Sequence, residues 1–123
     1  MQRAVRFLGY VPTDDLVALH NLATVFAFPS IYEGFGLPII EAMACGAPVL
    51  TSNCSSLAEI AGAAATLVNP LDSQALAEGL HTLLTDADLR ATQRQRGLAR
   101  AAEFSWPRAA AETAALYRQV MAA

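Results

Sequence analysis

Residues 24–52 read TVFAFPSIYEGFGLPIIEAMACGAPVLTS, and the fold turns on them. The segment 24–29 is a run of Val, Phe and Ala without polar alternation, which predicts a strand covered on both faces, as in a parallel sheet. After a loop, an apolar helix is expected from about Leu37 to Cys45, with Gly46 supplying the left-handed residue that stops it. Pro48 then opens a second strand, PVLTS.

The same alternation continues on both sides. Upstream, AVRFL (4–8) predicts a short strand, broken by Gly9-Tyr10-Val11-Pro12. Thr13 is positioned to cap a helix running to about residue 23, and Asp14 and Asp15 favour its positive end. Downstream, SSLAEIAG (55–62) predicts a short helix with a Ser cap and a Gly stop, and ATLVNP (65–70) a fourth strand. Asp72 or Ser73 caps the next helix, another spans 87–103, and Ser105 with Pro107 starts the last. Short apolar strands alternating with helices specify an α/β domain with a parallel sheet and right-handed crossovers. Ligands of such sheets bind beyond the carboxyl ends of the strands, which predicts that loops 9–13, 29–36 and 52–56 share one rim.

Composition narrows the function. The chain has 123 residues, 54% hydrophobic and 15% charged, with a net charge of -3. All eight basic residues are Arg, and no basic run precedes Arg90, which argues against a nucleic-acid groove. Arg90, Arg94, Arg96 and Arg100 read as a solvated helix face, with an anionic-membrane or partner contact as the alternative. Cys45 and Cys54 make neither a disulfide framework nor a metal spacing, and read as reduced and buried. His20 and His81 read as helix-surface residues. No apolar run is long enough to span a bilayer.

Gly34 and Gly36 allow a ligand to approach the backbone closely. Leu37 and Pro38 begin a helix, so free amides around Phe35 to Ile39 stand at the positive end of its dipole, where an anion can bind. A dinucleotide fingerprint would need glycine where Ile39 stands, and a Walker loop needs a lysine that the chain lacks. Instead the stretch carries two acids. Carboxylates accept hydrogen bonds and suit vicinal hydroxyls. Glu33 precedes the helix, and Glu41, one turn inside it, leans back toward the same rim. Two readers of hydroxyl pairs would then flank one phosphate cradle, the arrangement a nucleotide sugar presents. The bland reading, a loop acid and a solvated helix acid, stands beside it.

FLGYVPTDDL, PSIYEGFGLPIIEAMACGAPVLTSNCSSLAEIAG and LVNPLDSQALAEGL resemble the C-terminal domain of retaining glycosyltransferases of the GT-B fold, group 1 (family four). The terminal FSW and the helix with Tyr117 also fit. The resemblance implies a parallel-sheet, Rossmann-like half of a GT-B fold with C-terminal helices. It implies that Glu33 contacts the donor sugar and serves the catalytic step. The amides of Gly34, Phe35, Gly36 and Leu37 would hold sugar and diphosphate, and Glu41 the ribose hydroxyls. Gly9, Tyr10 and Val11 would line the base pocket. Ser30 and Tyr32 would shape the loop, with Thr51, Ser52 and Asn53 standing behind it. No metal and no cofactor are expected. Ala58 and Ala63 depart from the pattern, where proline and an acid are common, but lie away from the donor contacts.

The resemblance also implies partners. The donor is expected to be a nucleotide sugar, GDP-mannose or similar, since the run from 26 to 70 looks most like mannosyltransferases of polysaccharide and lipopolysaccharide assembly. The acceptor would be a glycan or a lipid-linked sugar. The family's Arg and Lys for the diphosphate lie ahead of RFLGYV, and its acceptor-binding N-terminal domain is separate. Residues 1–123 are therefore expected to be a single partial domain, truncated on its N-terminal side, inactive alone and prone to self-association. The full protein would be cytoplasmic, or peripheral at the inner membrane face. A non-catalytic nucleotide-sugar-binding or regulatory module of the same fold is the alternative.

Overall fold

A computed structural model describes residues 4–123. Three strands, β1 (Phe26–Phe28), β2 (Val49–Ser52) and β3 (Thr66–Val68), form one parallel sheet in chain order. Six helices accompany them among the described residues: α1 (Thr13–Leu22), α2 (Leu37–Ala44), α3 (Ser55–Ala61), α4 (Ser73–Thr85), α5 (Ala87–Ala102) and α6 (Trp106–Ala122). Phe26 pairs with Val49 and Phe28 with Thr51, while Leu50 pairs with Thr66 and Ser52 with Val68. A 3-10 turn, Gly62–Ala64, separates α3 from β3.

The central strand β2 is buried along its whole length, so its side chains feed two cores on opposite faces. Val49 joins Ile39, Met43, Leu57 and Ile60 from α2 and α3. Leu50 joins Val68 and Leu83, with Leu76 and Leu80 of α4 packed against them. Helix α5 serves both layers: Leu89 packs on the second cluster, whereas Ala101 belongs to the first. It can lie close to α2 because it presents Gly97 there, where an added Cβ would stand 3.3 Å from Met43 Cγ.

Between those two contacts α5 inserts Gln93, which is buried. Its Oε1 accepts from the Val49 amide at 3.2 Å and its Nε2 donates to Thr66 Oγ1 at 2.6 Å. The side chain satisfies the first amide of β2 and ties it to β3, as a buried main-chain donor requires. This tie sits at the amino end of the strands. The opposite, carboxyl end carries the loops from Pro29 to Gly36 and from Asn53 to the start of α3.

The strands and helices expected from 24 onward are all present, shortened at their ends. The strand predicted over 4–8 does not form: residues 4–10 are exposed, with Phe7 at 96%. A strand exists only through a neighbour that takes its amides and carbonyls, and none lies beside this segment among the described residues. Loop 9–13 therefore does not follow a strand, and the rim rule does not place it beside the other two.

Local chemistry departs from expectation in several places. Pro12, not Thr13, occupies the N-cap of α1, and no side chain caps it. Ser55 does not cap α3 but lies within it, after Cys54. Asp72 caps α4, accepting from Gln74 and Ala75, and Ser105 caps α6. Gly46, at φ 76°, does end α2. His81 is exposed, but His20 is buried edge-on against Phe26, with ring centroids 4.9 Å apart. The two thiols are free yet only half-buried.

The arginine cluster is a solvated face only in part. Arg90 donates to the Leu83 and Leu84 carbonyls near the end of α4, and Arg94 to the Gly46 carbonyl after α2. Arg100 donates to Ile60 and Glu59 at the end of α3. Arg90 and Arg100 supply donors to carbonyls a helix leaves unmatched at its C-terminus, and Arg94 to the loop carbonyl just beyond one. Arg94 and Arg96 keep the expected exposure, whereas Arg90 and Arg100 are half-buried. Helix α6 buries none of its residues, and Trp106, Leu116, Tyr117 and Val120 stand exposed along it. Among the described residues no helix is long and apolar enough to cross a membrane.

Candidate functional site

The loop between β1 and α2 is held from behind by side chains of the β2–α3 segment. Thr51 Oγ1 donates to the Phe28 carbonyl at 2.8 Å, and Ser52 Oγ to the Ser30 carbonyl. Cys54 Sγ reaches the Ile31 carbonyl at 3.4 Å, and Ser30 Oγ the Tyr32 carbonyl at 3.3 Å. Ser55 and Ser56 both donate to the Glu33 carbonyl at 2.9 Å, and Ser56 also lies 2.9 Å from the Phe35 carbonyl. In the loop, the carbonyls of Ser30, Ile31, Tyr32, Glu33 and Phe35 are thus turned toward the protein and occupied.

Its donors are not. Among the described residues, no hydrogen bond uses the amides of Gly34, Phe35, Gly36 or Leu37. The Ile39 amide, expected to be free with them, instead donates to the Gly36 carbonyl at 3.1 Å. Gly36 makes this turn possible: it is the N-cap of α2 at φ 109°, ψ 41°, a conformation closed to side chains. Consecutive unmatched amides at the start of a helix form a concave positive surface suited to an anion.

One carboxylate precedes that surface in the chain and another follows it on α2. Glu33 is half-buried, and its Oε1 accepts from Ser30 Oγ at 2.9 Å. That bond leaves Oε2 and a lone pair of Oε1 for other donors. Glu41 is exposed on α2 and shares a cleft of about 610 Å³ with Phe35 and Leu37. The far wall of this cleft comes from the α5–α6 junction, through Phe104, Trp106 and Arg108. Phe104 packs edge-on against Phe35, centroids 5.8 Å apart, and lies 4.8 Å under the Arg100 guanidinium. The hydrogen bond and charge of Glu112, with a further contribution from Glu103, raise the Arg108 pKa beyond its already high ordinary value.

The structure therefore joins Ser30, Glu33 and the Gly34–Leu37 amides in one bonded unit, with Glu41 on the cleft beside it. Gly9, Tyr10 and Val11 are not brought to it by any hydrogen bond among the described residues. Gly9 does adopt a left-handed turn at φ 65°, and Tyr10 is 91% exposed. The rim rule did place 52–56, and with it Ser55 and Ser56, beside loop 29–36, but sequence reasoning missed their bonds to Glu33 and Phe35 and missed Phe104 as a part of this neighbourhood. The two serines carried a signal, since they follow the strand next to β1 and so stand on the same rim. Among the described residues no cluster of three or more His, Cys, Asp or Glu side chains could hold a metal ion.

Residues 1–100 match the family described as glycosyl transferases group 1. The chain is 45% identical over 114 residues to O-antigen chain mannosyltransferase B of Escherichia coli, covering 93% of this chain and 30% of that protein. It is 40% identical over 113 residues to MMP alpha-(1->4)-mannosyltransferase of Mycolicibacterium hassiacum, covering 89% of this chain and 28% of that one. Its fold matches sucrose-phosphate synthase of Thermosynechococcus elongatus at a TM-score of 0.86 and 36% identity, over 96% of this chain and 30% of that structure. The chain thus spans under a third of the length of these relatives.

Proposed function

The chain belongs to the group 1 glycosyl transferases, with the GT-B type of fold, and from that premise we propose that it is the donor-binding part of a retaining sugar transferase. The donor is a nucleotide sugar, GDP-mannose first among candidates because mannosyltransferases recur among the relatives. The acceptor is a glycan or lipid-linked sugar of polysaccharide assembly, bound mainly by residues outside these 123. On this reading residues 1–123 are one partial domain and do not transfer sugar alone.

The observation that carries the proposal is the row of unmatched amides from Gly34 to Leu37, with Glu33 before it and Glu41 after it. The amides receive the sugar and diphosphate oxygens. Glu41 accepts from the ribose hydroxyls. Glu33, oriented by Ser30, accepts from sugar hydroxyls and faces the positive charge that develops as the anomeric carbon loses its phosphate. In that step the carbon–phosphate oxygen bond breaks, the acceptor oxygen bonds on the same face, and the departing phosphate takes the acceptor's proton. Neither glutamate forms a covalent bond, and no metal takes part. Arg and Lys side chains outside these residues neutralise the remaining diphosphate charge. Gly9, Tyr10 and Val11 border the base. The full-length protein works in the cytoplasm or on the inner face of a membrane.

The full-length gene product, offered GDP-mannose and UDP-hexoses beside Glu33→Ala and Glu41→Ala variants, tests this reading. Loss of a charged hydrogen bond of 1.5–3 kcal/mol is worth roughly 10- to 150-fold. Glu41→Ala is expected to lose that much nucleotide affinity, and Glu33→Ala that much transfer with nucleotide affinity retained. Unchanged affinity in the first, or unchanged transfer in the second, refutes the corresponding assignment. Light scattering on the isolated chain checks self-association through exposed Trp106, Leu116, Tyr117 and Val120, which a strict monomer at high concentration would exclude.

A further inference from the structure

Ser55 has a backbone its residue type does not favour. Among the described residues it is the non-glycine with positive φ, at 56°. That region costs an ordinary residue about 1–2 kcal/mol, and serine brings no special tolerance of it. Strain of this kind persists where surrounding contacts hold it. Here the contacts all lead to one residue. Ser55 Oγ donates to the Glu33 carbonyl at 2.9 Å and accepts from the Glu33 amide at 3.0 Å. The hydroxyl thereby uses both its donor and its acceptor capacity on the main chain of a single amino acid.

Ser56 extends the hold. Its Oγ lies 2.9 Å from both the Glu33 and the Phe35 carbonyls, and its single proton is shared between them. With Ser30 on the carboxylate, Glu33 is gripped at amide, carbonyl and side chain by three serines. The two bonds of Ser55 to Glu33 are solvent-exposed, so water can replace them at little cost to folding. What water cannot replace is their direction. These bonds fix where the Glu33 carboxylate begins and turn the carbonyls inward, leaving the amides of Gly34 to Leu37 outward.

We propose that Ser55 and Ser56 are positioning residues for sugar transfer, acting through Glu33 and the adjoining amides without touching donor or acceptor. The inference rests on the reading of Glu33 as the acid that faces the sugar. It separates two demands on the site. Nucleotide affinity, which draws on Glu41 and the base pocket as well as on the amides, depends on the serine pair only through the diphosphate that those amides hold. The chemical step, which needs Glu33 and the amides in mutual register, depends on the pair.

Glycine distinguishes this role from service to the turn alone. Ser55→Gly deletes the hydroxyl and relieves the positive φ together, so a purely local role predicts an unchanged or higher Tm and unchanged transfer. The experiment uses the full-length gene product with Ser55→Gly, Ser56→Ala, Ser56→Thr and Glu33→Gln. It measures Tm, nucleoside diphosphate affinity by calorimetry, and kcat with the nucleotide sugar the wild type uses. Ser55→Gly is expected to keep Tm and to lose at most a few-fold in nucleotide affinity, through the diphosphate on the amides, while kcat falls roughly tenfold to a hundredfold, the scale of an ångström-level misplacement. Ser56→Ala should behave alike, and Ser56→Thr, which keeps the hydroxyl, should recover most of the rate. Wild-type kcat in Ser55→Gly and Ser56→Ala, with transfer lost in Glu33→Gln, would overturn the serine proposal alone. Wild-type transfer in Glu33→Gln would overturn the reading it rests on. Equal slowing in Ser56→Thr and Ser56→Ala would assign the effect to packing and also reject the proposal.

Discussion

Gly36→Ala is expected to destabilise the chain by about 4 kcal/mol, from two separate sources. The first is conformational. At φ 109° and ψ 41° an L side chain is strained by about 1–3 kcal/mol. The second is steric. A Cβ there would lie 2.7 Å from Leu57 Cδ2, well inside the optimum of roughly 3.5–4.0 Å for carbon pairs. Leu57 is fully buried and cannot turn away without moving its neighbours, an overpacking cost of about 1–3 kcal/mol. For a chain of this size the sum lowers Tm by roughly 10–20 °C. Gly34→Ala is the internal control. Its added Cβ would meet nothing within 4 Å and its φ is not positive, so it should stay within about 1 kcal/mol of wild type. Thermal unfolding of both variants by circular dichroism measures the contrast. Leu57→Ala alone costs about 2–5 kcal/mol. Combined with Gly36→Ala it removes the clash, so the double variant should cost less than the sum by roughly 1–3 kcal/mol. Gly36→Ala melting with Gly34→Ala, or strict additivity in the double variant, refutes the reasoning.

Three further substitutions probe the frame around the site. Gln93→Leu leaves the buried Val49 amide unpaired and should cost about 1–3 kcal/mol in denaturant unfolding. Asp72→Ala removes the acceptor of the Gln74 and Ala75 amides and should cost about 1 kcal/mol, with Asp72→Asn recovering most of it by the same measurement. Arg100→Ala strips the Ile60 and Glu59 carbonyls of their donor and uncovers Phe104. A loss of about 1.5–3 kcal/mol in thermal unfolding is expected, and hydrogen exchange should quicken first at the end of α3.

What the sequence made legible was whatever period and punctuation encode. The unalternating run of β1, the buried β2 and the Gly46 stop of α2 follow from local pattern. So do the Asp72 and Ser105 caps. The acids and glycines of the loop were legible as chemistry because their spacing matches a ligand's groups. Partnership was not legible. The segment 4–8 has strand character but forms no ladder, because a strand's hydrogen bonds belong to its neighbour. The arginines of α5 were read as surface and Gln93 drew no reading, since hydropathy ranks them as polar and says nothing of the unpaired amide or helix end they would meet. His20 is polar by type and yet packs on Phe26. Ser55 was read as a helix cap, the commonest use of serine before a helix, whereas its hydroxyl is spent on Glu33 across the rim.

The loop from Ser30 to Phe35 has a further property, concerning when it forms. The bonds that hold it to Ser52, Cys54, Ser55 and Ser56 each join residues 21 to 23 positions apart. None of them can close until β1 and β2 have found their register and α2 has folded between them. Contacts of that kind are made late, after the cost of closing the intervening chain has been met. The site is thus a product of the finished α/β unit and takes no part in nucleating it. Substitutions in its serines should leave the refolding rate nearly unchanged and act on the unfolding rate alone.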